Sequence, residues 1–248
     1  KFKDHFSAVS ENYAEYRPHY PDELFEYLDL ITQHHESAWD CATGSGQAAL
    51  GLSPYFDTIF ATDASEEQIR NAYPHQNIQY HVATAYQSGL PEGSIDLVTA
   101  AQALHWFEFD TFFSEVKRVL KPSGLLAAWC YGVPNITPEL DPVVEDLYFK
   151  ITGPYWPAER EYVDKEYGTI RFPFPRLDFK QFAMTQEWDL DHFTSYVSTW
   201  SASKRLVEIE GMQALHDALK PLAEAWGVSS GTRGIQWPVH MRTAKMNT

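Results

Sequence analysis

The chain has 248 residues, 44% of them hydrophobic and 15% aromatic, which supports a large core and argues against wholesale disorder. Its formal net charge of -15 repels phosphate backbones and anionic lipid headgroups, so neither nucleic acid nor a membrane surface is an expected partner. Two cysteines, Cys41 and Cys130, both in apolar stretches, give no disulfide framework and point to a reducing, cytoplasmic setting.

In chain order, the polar and aromatic segment Lys1 to Tyr20 carries "YAEYRPHYP" and no apolar run of the kind that makes a secretory leader. Pro21 then opens a helix, with Leu24, Phe25, Leu28 and Ile31 at helical spacing. Ala38 to Cys41 is a short strand that runs into a glycine turn, and Gln47 to Leu52 starts the next helix. Thr58 to Thr62 is a second strand ending at Asp63. Ser65 caps a helix that reaches Tyr73. A third strand is expected at Ile78 to Val82 and a fourth around Ile95 to Ala100. Phe109 to Leu120 is an amphipathic helix stopped by "KPSG", and Leu125 to Tyr131 is a fifth strand. Strands alternating with helices predict right-handed crossovers and a doubly wound, mostly parallel sheet.

After Gly132 the pattern breaks into prolines and aromatics, with a short helix around Pro142 to Lys150. Residues 132–176 therefore read as a lid inserted after the fifth strand. A strand returns at Phe179 to Trp188. Helical stretches follow at Leu190 to Val207 and Met212 to Trp226, and "GIQWPVHMRTAKM" closes as a last strand. One domain over 1–248 is expected: an N-terminal arm and helix (1–35), a core (36–131), the lid, and a C-terminal part (177–248) completing the sheet.

The turn "WDCATGSGQAAL" carries the weight of the functional reading. Gly44-Ser45-Gly46-Gln47-Ala48-Ala49 fits a dinucleotide-binding turn, and Asp63 follows Gly44 at about 20 residues, the spacing of an acid that grips ribose hydroxyls. Against a pyrophosphate stands Asp40, a carboxylate just before the turn, which would repel it. The chain also lacks a Tyr-x-x-x-Lys pair. S-adenosyl-L-methionine has adenine, ribose and an ammonium group but no phosphate, and it suits the same residues. On that reading Gly44 and Gly46 allow close backbone approach, Asp63 accepts the ribose hydroxyls, and Asp40 orders the turn and faces the ammonium end. An NAD(P)-dependent oxidoreductase and a non-catalytic S-adenosylmethionine binder remain as alternatives.

The stretches "AEYRPHYP", "WDCATGSGQAA", "ATDAS", "GLPEGSIDLVTAAQALHW" and "VKRVLKPSGLLAAW" together resemble class I S-adenosylmethionine-dependent methyltransferases of the methyltransferase type 11 kind. The likeness is nearest to the trans-aconitate methyltransferase-like subgroup. It implies a Rossmann-like, seven-stranded α/β fold and a methyl transfer to a small-molecule acceptor, with S-adenosyl-L-homocysteine as product. One glycine of the family's turn is replaced by Ala42, which the turn accommodates if Ala42 keeps a negative φ.

By the same resemblance, Thr84 and Ala85 border the adenine, where Tyr86 replaces the family's frequent acid and stacks on the ring. Ala64 and Gln68 follow Asp63 into the cofactor site, and Ala101, Gln102 and His105 border the sulfonium and methyl. The arm folds over the pocket, so that Tyr13, Arg17 and Tyr20 face the cofactor, and Arg17 binds the methionine carboxylate or an acidic acceptor. His105 acts as a general base if the acceptor loses a proton, or otherwise only as a hydrogen-bonding group. Tyr155, Trp156 and Trp200 line the acceptor side or simply fill the core. His34-His35-Glu36 lacks a partner at ligand spacing, so no metal is expected.

Overall fold

The computed structural model describes residues 16–174 and 176–246. Seven strands form one sheet in the order β3-β2-β1-β4-β5-β7-β6. They are β1 (Ser37–Cys41), β2 (Thr58–Asp63), β3 (Ile78–Val82), β4 (Ile95–Ala101), β5 (Leu120–Tyr131), β6 (Arg176–Trp188) and β7 (Arg233–Lys245). The first five pair in parallel, and only β7 runs against its neighbours β5 and β6. The sheet order reverses between β1 and β4, and ligands of doubly wound sheets sit beyond the carboxyl ends of the strands at such a switch.

The helices are α1 (Asp22–Ile31), α2 (Gln47–Leu52), α3 (Glu66–Arg70), α4 (Phe109–Val119), α5 (Asp141–Glu145), α6 (Arg160–Asp164), α7 (Leu190–Ser198), α8 (Ser201–Glu210) and α9 (Met212–Trp226). They cover both faces of the parallel strands. On β5, Leu125, Ala127, Trp129 and Tyr131 join the core under α1, α2 and α7, while Leu126, Ala128 and Cys130 join the opposite core under α4. That is the strand period of two, with both faces apolar because both are covered. β7 alternates differently. Ile235, Trp237, Val239 and Met241 are buried on one face, and Gln236, His240 and Arg242 occupy the other. This is the pattern of an antiparallel strand covered on one side.

Three expected elements differ. The stretch Leu190 to Val207 is two helices, because Thr199 Oγ1 donates to the Tyr196 carbonyl and Trp200 is extended (φ -62°, ψ 141°). The fifth strand begins at Leu120 rather than Leu125. Leu120 pairs with Ile95, the register then shifts, and the "KPSG" residues form a bulge in which Ser123 has φ 66°. Ala42 has φ 56°, not the negative value expected, so the turn holds an alanine in the left-handed region. The segment between β5 and β6 is packed on both faces of the sheet: Leu140, Val144, Leu147 and Tyr148 on one, and Val163, Tyr167 and Ile170 on the other. No helix among the described residues is long and apolar enough to cross a membrane.

Candidate functional site

The glycine turn is built from the strand beneath it. Asp40 on β1 is fully buried between two hydroxyls: Thr43 Oγ1 donates to its Oδ2 at 2.5 Å and Thr99 Oγ1, from β4, to its Oδ1 at 2.8 Å. Burial pushes its pKa up to about 6, against the pull of those two hydrogen bonds. Asp40 thus ties the turn residue Thr43 to Thr99 on β4 from beneath. With no exposed surface, its oxygens are turned to Thr43 and Thr99.

Above it, the Thr43 N–H donates to the Thr62 carbonyl and Gly46 N–H to the Thr43 carbonyl, closing the turn. Gly44 and Gly46 have φ of 56° and 88°, conformations that glycine adopts readily. A Cβ on Gly46 would collide with the Tyr80 hydroxyl. Asp63, at the end of β2, accepts from the Gly44 N–H at 3.0 Å and from the Ser65 N–H at 2.9 Å. It ties the turn to the cap of α3, where Ser65 Oγ accepts from the Gln68 N–H. Gln68 is buried beside Gly44, while Ala64 is half-buried. On the next loop, Thr84 bridges to Gln87 and Ala85 packs beneath α4. The Tyr86 hydroxyl accepts from the Glu108 N–H at 2.9 Å.

Beyond β4 and β5 a cleft opens, lined by Gln102, His105, Tyr131 and Gly132 on the sheet side. Gln102, with φ 53°, forms its inner wall. Its side-chain amide donates to the Tyr131 carbonyl at 2.8 Å and accepts from the Tyr131 N–H at 3.1 Å, so it pairs with β5 as a strand residue would. His105, on the single turn Leu104–Trp106, is 4% exposed, and its Nδ1 is 2.9 Å from the Tyr167 hydroxyl. Burial, with the Arg160 charge second, holds the imidazole well below the usual histidine range. It is therefore neutral at pH 7.

The roof comes from three remote segments. Arg17 donates through Nη1 to the Tyr131 hydroxyl (3.2 Å) and through Nη2 to the Thr199 carbonyl (3.4 Å), and it lies over the Tyr196 ring. Gln47 Nε2 donates to the Pro18 carbonyl, so the arm crosses the start of α2. Lys204 lies near Arg17, and burial first, then that guanidinium, lowers its pKa. Tyr148, Trp156, Arg160 and Trp200 close the far side.

The structure therefore brings Arg17, Gln102, His105, Trp156 and Trp200 around one cleft. Tyr20 instead packs edge-on against Trp129, Tyr131 and Phe25. Tyr155 turns away to hydrogen-bond Glu210. Tyr13 lies outside the described residues. Arg160, Tyr148 and Tyr167 escaped sequence reasoning. The signal for Arg160 was a cation directly after the aromatic run "PYWPAE" in an acidic chain. Among the described residues, no group of three or more His, Cys, Asp or Glu is placed to hold a metal ion.

Comparison with known proteins agrees with this architecture. A methyltransferase-domain model matches residues 39–128. A protein of Dictyostelium discoideum named as a methyltransferase is 33% identical over 252 residues, covering 99% of this chain and 96% of that one. The structure of a protein from Anaeromyxobacter dehalogenans described as a type II methyltransferase superposes with a TM-score of 0.86 at 38% identity, covering 93% of this chain and 98% of that one. Phosphoethanolamine N-methyltransferase 2 of Haemonchus contortus, solved in complex with S-adenosyl-L-methionine, shares the fold at a TM-score of 0.50 and 16% identity, over 98% of this chain and 58% of that one.

Proposed function

The chain belongs to the class I S-adenosylmethionine-dependent methyltransferases, and from that premise we propose that it methylates a small molecule seated in the cleft between Gln102 and Arg160. The observation that carries this is the placement of the cleft. It opens past the carboxyl ends of β4 and β5, and Arg17 and Pro18 connect its roof to the start of α2 just after the glycine turn.

The residues at the turn fit the cofactor. A Cβ at Gly44 would meet nothing nearer than Gln68 Oε1 at 3.9 Å, so the backbone presents an open face to a ligand. Asp63 would hold the ribose hydroxyls. Ala64 and Gln68 would flank them, and Thr84, Ala85 and Tyr86 would border the adenine. Arg17 would pair with the methionine carboxylate, which a guanidinium matches with two parallel hydrogen bonds. Asp40, a carboxylate directly beneath the turn, makes it a poor seat for a pyrophosphate, which weighs against a nicotinamide cofactor.

The cofactor, once bound, supplies an electrophilic methyl group on a sulfonium, with S-adenosyl-L-homocysteine as product. The protein's part is alignment and exclusion of water, effects that supply about 7–11 kcal/mol at their upper limit. Gln102 fixes the cofactor-side wall by its two bonds to Tyr131. His105, buried and neutral, accepts a proton or a hydrogen bond at the imidazole nitrogen that Tyr167 does not engage. The aromatic rings of Tyr148, Trp156 and Trp200, packed within 6 Å of one another, favour a flat or apolar acceptor body.

Calorimetric titration with S-adenosyl-L-homocysteine and with NAD tests the reading. Binding of the first and not the second is expected, and Arg17→Met should weaken the first at least tenfold. Tight NAD binding with no heat from S-adenosyl-L-homocysteine would refute it.

A further inference from the structure

We propose that Arg160 is the receptor for a carboxylate on the methyl acceptor, and that this carboxylate anchors the acceptor rather than receiving the methyl group. The inference rests on the cleft being the acceptor site. Its first support is charge. The chain carries 34 acids against 19 lysines and arginines, yet the residues lining the cleft include Arg17 and Arg160 and no aspartate or glutamate. A cavity with only cations on its wall, in an acidic protein, selects an anion.

The second support is geometry. The Arg160 guanidinium lies over the Trp156 ring at 4.6 Å and the Tyr148 ring at 5.2 Å. Its Nε donates to the Tyr148 hydroxyl and lies 3.6 Å from Asp164 Oδ1, and Tyr148 in turn donates to Asp164 at 2.7 Å. The inner edge of the fork is thus held, and its side chain is only 15% exposed. The two terminal nitrogens have no hydrogen-bond partner among the described residues. A guanidinium stacked on aromatic faces and fixed through Nε is a preorganised, bidentate carboxylate seat. Arg17, whose terminal nitrogens reach Tyr131 and Thr199, is the group proposed above for the cofactor's own carboxylate, which leaves Arg160 for the acceptor.

The third support is chemical. A carboxylate forked onto a guanidinium has its lone pairs engaged and its charge shared, which makes it a weak nucleophile. The reacting atom of the acceptor therefore lies elsewhere on the molecule, toward Gln102 and His105. The acceptor class is a small aromatic or flat carboxylic acid bearing a second, methylatable group.

The test uses the whole protein loaded with S-adenosyl-L-homocysteine and three matched probe pairs in calorimetry: benzoate and benzamide, phenylacetate and phenylacetamide, cinnamate and cinnamamide. At least one carboxylate is expected to bind tenfold or more tightly than its amide. Arg160→Met should abolish that preference, Arg160→Lys should retain part of it, and both variants should keep S-adenosyl-L-homocysteine affinity within twofold. Retained cofactor affinity also reports that the variants are folded. Equal binding within every pair, no carboxylate binding at all, or a preference that survives Arg160→Met would overturn the proposal. Failure of the wild-type protein to bind S-adenosyl-L-homocysteine would fall on the cofactor reading instead, and is read separately.

Discussion

Asp40 is an acid without an ion-pair partner among the described residues, buried between Thr43 and Thr99. Its pKa of about 6 lies above the ordinary 3.8, so the folded state holds the proton more tightly than the unfolded chain. Stability must then fall as pH rises from about 4 to 6 and level off above, by about 3 kcal/mol in total. Asp40→Asn removes that slope. Urea unfolding between pH 4 and 7 should show the variant gaining on the wild type as pH rises, by a comparable amount. Asp40→Ala has a different effect. It leaves two buried hydroxyls unpaired and frees Thr43, so S-adenosyl-L-methionine should bind about tenfold more weakly while Asp40→Asn binds nearly normally. His105 gives a second expectation at this scale. Because burial keeps it neutral, kcat/KM between pH 6 and 8 should show no inflection belonging to it, and a step near 6.5 that vanished in His105→Gln would contradict the assignment.

At the scale of elements, the turn between β1 and α2 is the most exacting piece. Gly46→Ala combines a φ of 88° with a collision against Tyr80, so both thermal stability and cofactor affinity should drop, by differential scanning fluorimetry and calorimetry respectively. Helix α4 is held by a quite different device. Glu115 accepts from both Arg118 and Ser88, and Arg118 foremost holds its pKa down to about 2. A depressed carboxylate stabilises the fold above its unfolded pKa and loses that contribution as pH falls through about 2. Glu115→Gln should therefore cost about 1–2 kcal/mol at pH 7 and little at pH 2.

These elements also show what the sequence could reveal. Strands β1 to β4 and the Ser65 cap were legible because period, turn residues and capping chemistry agree there. The break between α7 and α8 was not, since Phe193, Tyr196, Val197, Trp200 and Leu206 continue an apolar pattern across a kink made by Thr199. The positive φ of Ala42 was hidden for another reason: the hydrogen bonds around Thr43 fix that backbone, and no residue type announces them. Arg17, Gln102 and His105 could be nominated from neighbouring motifs. Arg160 became meaningful only when Tyr148 and Trp156 were seen to clamp it.

For the molecule as a whole, one face of the sheet ties β7 to the roof of the cleft. Trp237 on β7 is fully buried, donates to the Tyr196 hydroxyl at 3.1 Å and packs edge-on against Trp188. Tyr196 is the ring beneath Arg17. Trp237→Ala should cost about 3–5 kcal/mol by chemical denaturation, as other buried tryptophan truncations do. It should also weaken cofactor binding, although Trp237 lies outside the cleft lining.

The antiparallel placement of β7 has a consequence for biosynthesis. Strand β6 leaves the ribosome before β7, yet among the described residues its one neighbour in the sheet is β7. While α7, α8 and α9 are being made, β6 is an unpaired ribbon, and β5 has an open edge where β7 will insert. The nascent chain can settle its five parallel strands early. β7 closes the edge of β5 and joins β6 to the sheet, and its Trp237 lies beneath the platform that carries Arg17 and Tyr196. The roof of the cleft thus depends on a long-range strand pairing, the kind of contact that is slow to form in folding.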